Sequence, residues 1–145
     1  MHTIGILGSG DMGSGVAAAF GGAGYRVVTD LSERSAHSRA LAERAGTIDL
    51  GSLAAVLDAA DIVLAIVPPA QARAVAEQVS AHGPLNSAYA DCNALAPANA
   101  AALLQLLSSN GTTVIDVGIV GSPPARAGSR GTRFYVSGVA RSALL

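Results

Sequence analysis

The 145-residue chain is 50% hydrophobic yet only 3% aromatic, and 30 alanines with 17 glycines supply much of its bulk. Side chains this small predict closely packed helices and sheet in one domain, residues 1–145, rather than a core of large rings. Nine arginines, no lysine and ten carboxylates leave a net charge of −1, which excludes the basic footprint of a general nucleic-acid binder.

Apolar runs of strand length alternate with stretches of helical period, the pattern of a parallel sheet with crossover helices. Thr3 to Leu7 is a first strand, and Met12, Val16, Ala19, Phe20 and Ala23 repeat at helical spacing up to a stop at Gly24. Tyr25 to Thr29 is a second strand ending at Asp30, and Ser32 is placed to cap a helix from Glu33 to Ala45. Thr47 to Leu50 is a weak strand and Ser52 to Ala60 a short helix. Asp61 to Val67 is the clearest buried strand, halted by Pro68 and Pro69 because proline cannot donate to a ladder. Ala70 to Ala81 reads as helix, Ser87 to Asp91 as strand, and Pro97 to Ser109 as a helix with proline in its first turn. Thr113 to Ile119 is a sixth strand, Gly121 to Gly131 a Gly/Pro/Ser-rich loop, and Arg133 to Ser137 a seventh strand.

The fold expected is α/β: a Rossmann-type, doubly wound and mostly parallel sheet. Ligands of such sheets sit at the carboxyl ends of the strands. Those ends hold Gly8 to Gly13, Asp30, Val67-Pro68-Pro69, Asp91-Cys92-Asn93 and Gly118 to Ser122.

Gly8-Ser9-Gly10-Asp11-Met12-Gly13 fits G-x-G-x-x-G between a strand and a helix. Gly8 permits the tight turn, Gly10 removes the Cβ that would hold a pyrophosphate away, and Gly13 lets the helix approach the sheet. The free N–H groups and the dipole of the helix start, about half a positive charge, attract the diphosphate. Asp11 is expected as the N-cap of that helix. Asp30 lies 22 positions after Gly8, where an acid accepts hydrogen bonds from the adenosine ribose; its plainer role is a helix cap or turn residue. Arg34, with Ser32 beside it, could take a 2′-phosphate, or be only a solvated charge, so NAD and NADP both stand.

Together these residues resemble the N-terminal NAD(P)-binding domain of the β-hydroxyacid dehydrogenases, the family of 6-phosphogluconate and 3-hydroxyisobutyrate dehydrogenases. Gly8-x-Gly10-x-Met12-Gly13 matches the family's G-x-G-x-M-G. Val67-Pro68 falls where many members carry a Leu-Pro pair on the nicotinamide side of the cofactor. Asp91-Cys92-Asn93-Ala94-Leu95-Ala96-Pro97 resembles the substrate motif D-x-S-T-x-x-P, and Asp116 to Gly121 stands where members have D-A-P-V-S-G. A branch with D-C-N-x-x-x-P and a later Tyr-Val-Ser-Gly, here Tyr135 to Gly138, is the nearest likeness.

The resemblance implies a hydride transfer between nicotinamide and a small polar hydroxy acid or related substrate. Cofactor contacts are implied for Gly8, Ser9, Gly10, Asp11, Met12, Gly13, Asp30, Arg34, Val67, Pro68 and Asn93, and substrate contacts for Asn93, Ala94, Gly121 and Ser122. Asn93-Ala94 replaces the family's Ser-Thr, and Val120 replaces the serine before Gly121, which points to a different substrate. The family's catalytic lysine sits on a helix after the sheet, and its helical second domain mediates oligomers. This chain has no lysine, so its catalytic residue is unknown. The expectation is a piece of a longer, homo-oligomeric, two-domain enzyme. The alternative is a non-catalytic NAD(P)-binding or regulatory module; a methyltransferase is disfavoured by Met12-Gly13 and Asn93…Pro97.

Cys92 is the only cysteine, which excludes an internal disulfide; it reads as a small, partly buried apolar residue rather than a thiolate. His2, His37 and His82 avoid the carboxyl ends of the strands, and no metal-ligand spacing occurs. Arg126, Arg130, Arg133 and Arg141 lie in an acid-free tail and read as solvated charges rather than substrate clamps. The best candidate for a membrane span, Ile62 to Ala70, has nine residues where about 18 are needed, and no basic segment precedes the first strand. A cytoplasmic protein with no membrane partner is expected.

Overall fold

A computed structural model describes residues 1–124 and 131–137. Strands β1 (Thr3–Leu7), β2 (Arg26–Thr29), β3 (Ile48–Asp49), β4 (Ile62–Ala65), β5 (Ala88–Asp91), β6 (Thr113–Gly121) and β7 (Thr132–Ser137) form one sheet in the order β3-β2-β1-β4-β5-β6-β7. The first six pair in parallel, and β7 returns antiparallel to β6, with Gly121 opposite Thr132. The doubly wound expectation holds, and the order reverses direction at β1, which lies between β2 and β4.

Helices α1 (Asp11–Gly22), α2 (Ala36–Arg44), α3 (Leu53–Ala59), α4 (Pro69–His82) and α5 (Pro97–Ser108) make the crossovers. Two cores result. Leu7, Val63, Ala65 and Tyr89 pack with α3, α4 and α5, whereas Ile4, Ile6, Leu64, Ala90 and Ile115 pack on the α1 side. Val63 and Leu64 are neighbours in sequence yet belong to opposite cores, which is why the strand reads as an unbroken apolar run. Among the described residues no helix is long and apolar enough to cross a membrane.

Three expectations are corrected. Asp11 is the first residue of α1, not its cap; Gly10 occupies that position and brings no side chain. The α2 cap is Ser35, whose hydroxyl accepts from Ser38 N, rather than Ser32. Ser32 N is instead tied to Asp30 Oδ1 and Arg34 N to Leu31 O, so a turn consumes the residues that helical periodicity had assigned to the first coil. The fourth strand is shorter than its apolar run: Asp61 precedes it, and after Ile66 donates to Leu7 O the chain leaves the ladder at Val67. Arg126, Arg130, Arg141, Gly138 and most of the expected loop from Gly121 to Gly131 lie outside the described residues.

Candidate cofactor site

The parallel strands point their carboxyl ends toward one edge of the sheet, and the turn from β1 to α1 occupies its centre. Gly8 has φ +110°, a region that favours glycine, and a Cβ there would collide with the Ile66 carbonyl. A Cβ on Gly13 would collide with the Gly8 carbonyl. Both glycines are thus demanded by the protein's own packing. Gly10 is not: its φ is −72°, and a Cβ added to it would meet nothing within 4 Å. The open space above Gly10 is where a ligand would approach the main chain.

The first N–H groups of a helix lack intrahelical acceptors, and among the described residues no side chain caps those of α1. Ser9 is buried, and among the described residues its Oγ has no partner, while Ser14 Oγ donates to Ser9 O. A small cavity of about 10 Å³ lies under the turn, lined in part by Ser9, Ser14, Thr29 and Thr47. Open main chain, uncapped donors and an orphaned hydroxyl fit a diphosphate. Asp11 is exposed and Met12 half-buried, the latter packing against the α1-side core.

Asp30 stands at the end of β2, half-buried, with Oδ1 accepting from Ser32 N. Among the described residues its second carboxylate oxygen has no hydrogen-bond partner and could accept from a ligand hydroxyl. Arg34 is half-buried on the same loop, and Arg39 ties that loop down through bonds to Arg34 O and Ser32 O, 3.3 Å each. Sequence reading missed Asp49, whose Oδ1 accepts from Leu31 N at 3.1 Å and Gly51 N at 2.9 Å. Those two N–H groups hold its carboxyl below the ordinary value. A two-residue strand gives little periodicity, so only the turn residue after it, Gly51, signalled this role.

Beyond β4, Val67 is buried and Pro68 exposed. Val67 N donates to Asn93 Oδ1 at 2.8 Å, and Asn93 Nδ2 donates to Asp91 Oδ1 at 2.9 Å. Asn93 N also donates to Asp91 Oδ1, at 2.9 Å. The side chain expected to meet substrate is therefore 9% exposed and bonded inward. Asp91 is 6% exposed, and its Oδ2 lacks a partner among the described residues. Burial raises its pKa above the ordinary value, the bonds from Asn93 oppose that, and neighbouring Asp116 adds to it. Cys92 is buried and its thiol is pushed up to about 12 by burial, then by Asp91 and Asp116, as its reading as an inert apolar residue requires. Ala94, Gly121 and Ser122 are exposed along this edge. His82 pairs with Asp58 and His2 with Asp61, both away from the glycine turn.

A doubly wound sheet whose central turn strips itself of side chains defines a dinucleotide-binding domain. Residues 3–143 match the family model described as the NAD binding domain of 6-phosphogluconate dehydrogenase, and the chain belongs to that family; its cofactor is a nicotinamide dinucleotide, NAD or NADP. Similar solved structures include 3-hydroxyisobutyrate dehydrogenase of Mycobacterium tuberculosis with L-serine, at 24% identity and TM-score 0.82, over 99% of this chain and 48% of that one. An imine reductase from Bacillus cereus matches at 20% identity and TM-score 0.81, over 97% and 48%. An imine reductase variant from Myxococcus stipitatus in complex with NAD+ matches at 22% identity and TM-score 0.76, over 97% and 48%. These identities establish the fold, and the chain spans about half the length of those structures. A search of curated proteins finds no matching sequence.

Proposed function

We propose that this domain is the cofactor-binding part, residues 1–145, of a two-domain NAD(P)-dependent oxidoreductase that acts on a small polar hydroxy acid or a related substrate. The observation that carries the reading is Gly10: a glycine the fold does not need, at the one point where a diphosphate would need it. Gly8, Ser9, Gly10, Asp11, Met12 and Gly13 form the cradle, whose uncapped N–H groups bind the diphosphate oxygens. Asp30 accepts from the adenosine ribose; Arg34 is the residue that would take a 2′-phosphate. Val67, Pro68 and Asn93 border the nicotinamide end, and Ala94, Gly121 and Ser122 the substrate. When bound, the nicotinamide supplies or accepts hydride; the chain's own part is to hold and orient it. The proton-transferring group lies outside this chain, and association into homo-oligomers accompanies the whole protein.

Titration of the chain with NADH, NADPH and S-adenosylmethionine tests the assignment. Binding of either dinucleotide, with none of the adenosylmethionine, is expected; the reverse would refute it. The ratio of the two dinucleotide affinities weighs Asp30 against Arg34. A non-catalytic NAD(P)-binding or regulatory module is the second reading. It predicts the same titration, but no hydride transfer by the whole protein to a panel of hydroxy acids and imines.

A further inference from the structure

We propose that Asp91 and Asn93 form a clasp that fixes the Val67–Pro68 main chain, and through it the nicotinamide end of the cofactor; the inference rests on the placement of that end beside Val67–Pro68. Asn93 thus acts as a positioning residue through its inward-facing side, not as a substrate ligand.

Donor supply makes the clasp necessary. Ile66 N is committed to Leu7 O, and Pro68 and Pro69 have no N–H, so Val67 offers the last main-chain donor before α4. The bond from Gln71 N to Pro68 O closes the turn on itself and ties it to nothing else. Cys92 N meets Ala65 O within the sheet, and above that level the bond from Val67 N to Asn93 Oδ1 joins this crest to the β5 crest.

Asp91 makes the clasp specific. An asparagine amide has two ends, and only one orientation places its oxygen on Val67 N–H and its nitrogen on the Asp91 carboxylate. The flipped amide would set two donors together at Val67 and two acceptors together at Asp91. Asp91 Oδ1 also accepts from Asn93 N, so the carboxylate holds both the main chain and the side chain of the residue it orients. The three groups are buried, where each such bond has little competition from water.

The chain and its variants are titrated with NADH and with ADP-ribose, which lacks nicotinamide; NADPH and 2′-phospho-ADP-ribose replace them if that pair binds more tightly. Asn93→Ala is expected to weaken NADH at least tenfold and ADP-ribose less than twofold, and to abolish any shift in the emission of bound NADH. Asp91→Ala should behave alike. Asp91→Asn, whose amide oxygen still accepts from Asn93, should restore NADH binding to within about threefold of wild type. Equal losses for both ligands in a cooperatively folded variant, or no loss of NADH binding, would overturn the proposal. If Asn93→Ala shows no cooperative melt, Asn93→Ser, too short to span Asp91 and Val67, carries the same comparison. Wild-type chain that binds neither ligand removes the cofactor reading itself. Wild-type chain that binds ADP-ribose as tightly as NADH leaves the glycine turn standing and overturns the clasp alone.

Discussion

Between Gly8 and Gly13 the sheet edge is shaped by removing side chains, whereas between Val67 and Asn93 it is shaped by filling the space with a buried polar side chain. The first region presents main-chain donors to a ligand and asks nothing of its neighbours beyond close approach. The second spends its side-chain polarity on itself: Asn93 is bonded at both ends of its amide before any ligand arrives. The crest is held by one side-chain network, the bonds of Asn93 to Val67 N–H and to the Asp91 carboxylate.

Substitutions sharpen the contrast. The largest effect is expected at Gly13→Ala, where the new methyl meets the Gly8 carbonyl and only main chain can give way. A loss of about 3 kcal/mol or more in chemical denaturation is expected; an unchanged midpoint would show that the turn can relax. Asn93→Ala comes next. It leaves Val67 N–H unpaired in the interior and removes one of the two bonds to Asp91 Oδ1, the one from the main-chain N–H of residue 93 remaining, at a cost of about 1–3 kcal/mol, read by the same denaturation curve.

A smaller effect follows from pH. The folded pKa of Asp91 is raised above 3.8, so its favourable contribution is complete below pH 3.8 and is lost as pH rises through the folded value. Asp49, lowered by the N–H groups of Gly51 and Leu31, has the opposite sign: its contribution is present above pH 3.8 and lost as pH falls through its folded value. Melting temperatures of wild type relative to Asp91→Asn should therefore decline as pH rises above 3.8. A flat difference would mean that the carboxylate is better solvated than its 6% exposure implies. The mildest test is chemical: Cys92, with its pKa near 12, should resist thiol labelling at pH 8 until the chain unfolds.

Much of this was legible in the residues. The alternation of apolar runs located the strands, and β4 could be read because Val63 and Leu64 both meet hydrophobic neighbours, on opposite faces. The glycine turn was legible because its chemistry is the absence of side chains, which a sequence displays directly. Helix starts were less so. Ser32 and Ser35 are three positions apart, and the cap falls on the later one, whose hydroxyl accepts from Ser38 N, while Ser32 N turns back to Asp30 Oδ1. The role of Asn93 was hidden because its partners include a main-chain N–H 26 positions away, set by the adjacency of β4 and β5. Asp49 was hidden because its value lies in donors from two different loops.

The most direct test of the central claim is calorimetric titration of wild type and Gly10→Ala with the tighter-binding reduced dinucleotide, alongside thermal melts of both. Because a Cβ at Gly10 meets nothing within 4 Å, the two melts should agree to within about 0.5 kcal/mol of stability. The variant's affinity should meanwhile fall at least tenfold, about 1.4 kcal/mol. Equal affinity in the two proteins would mean that the diphosphate is held elsewhere, and would contradict the account.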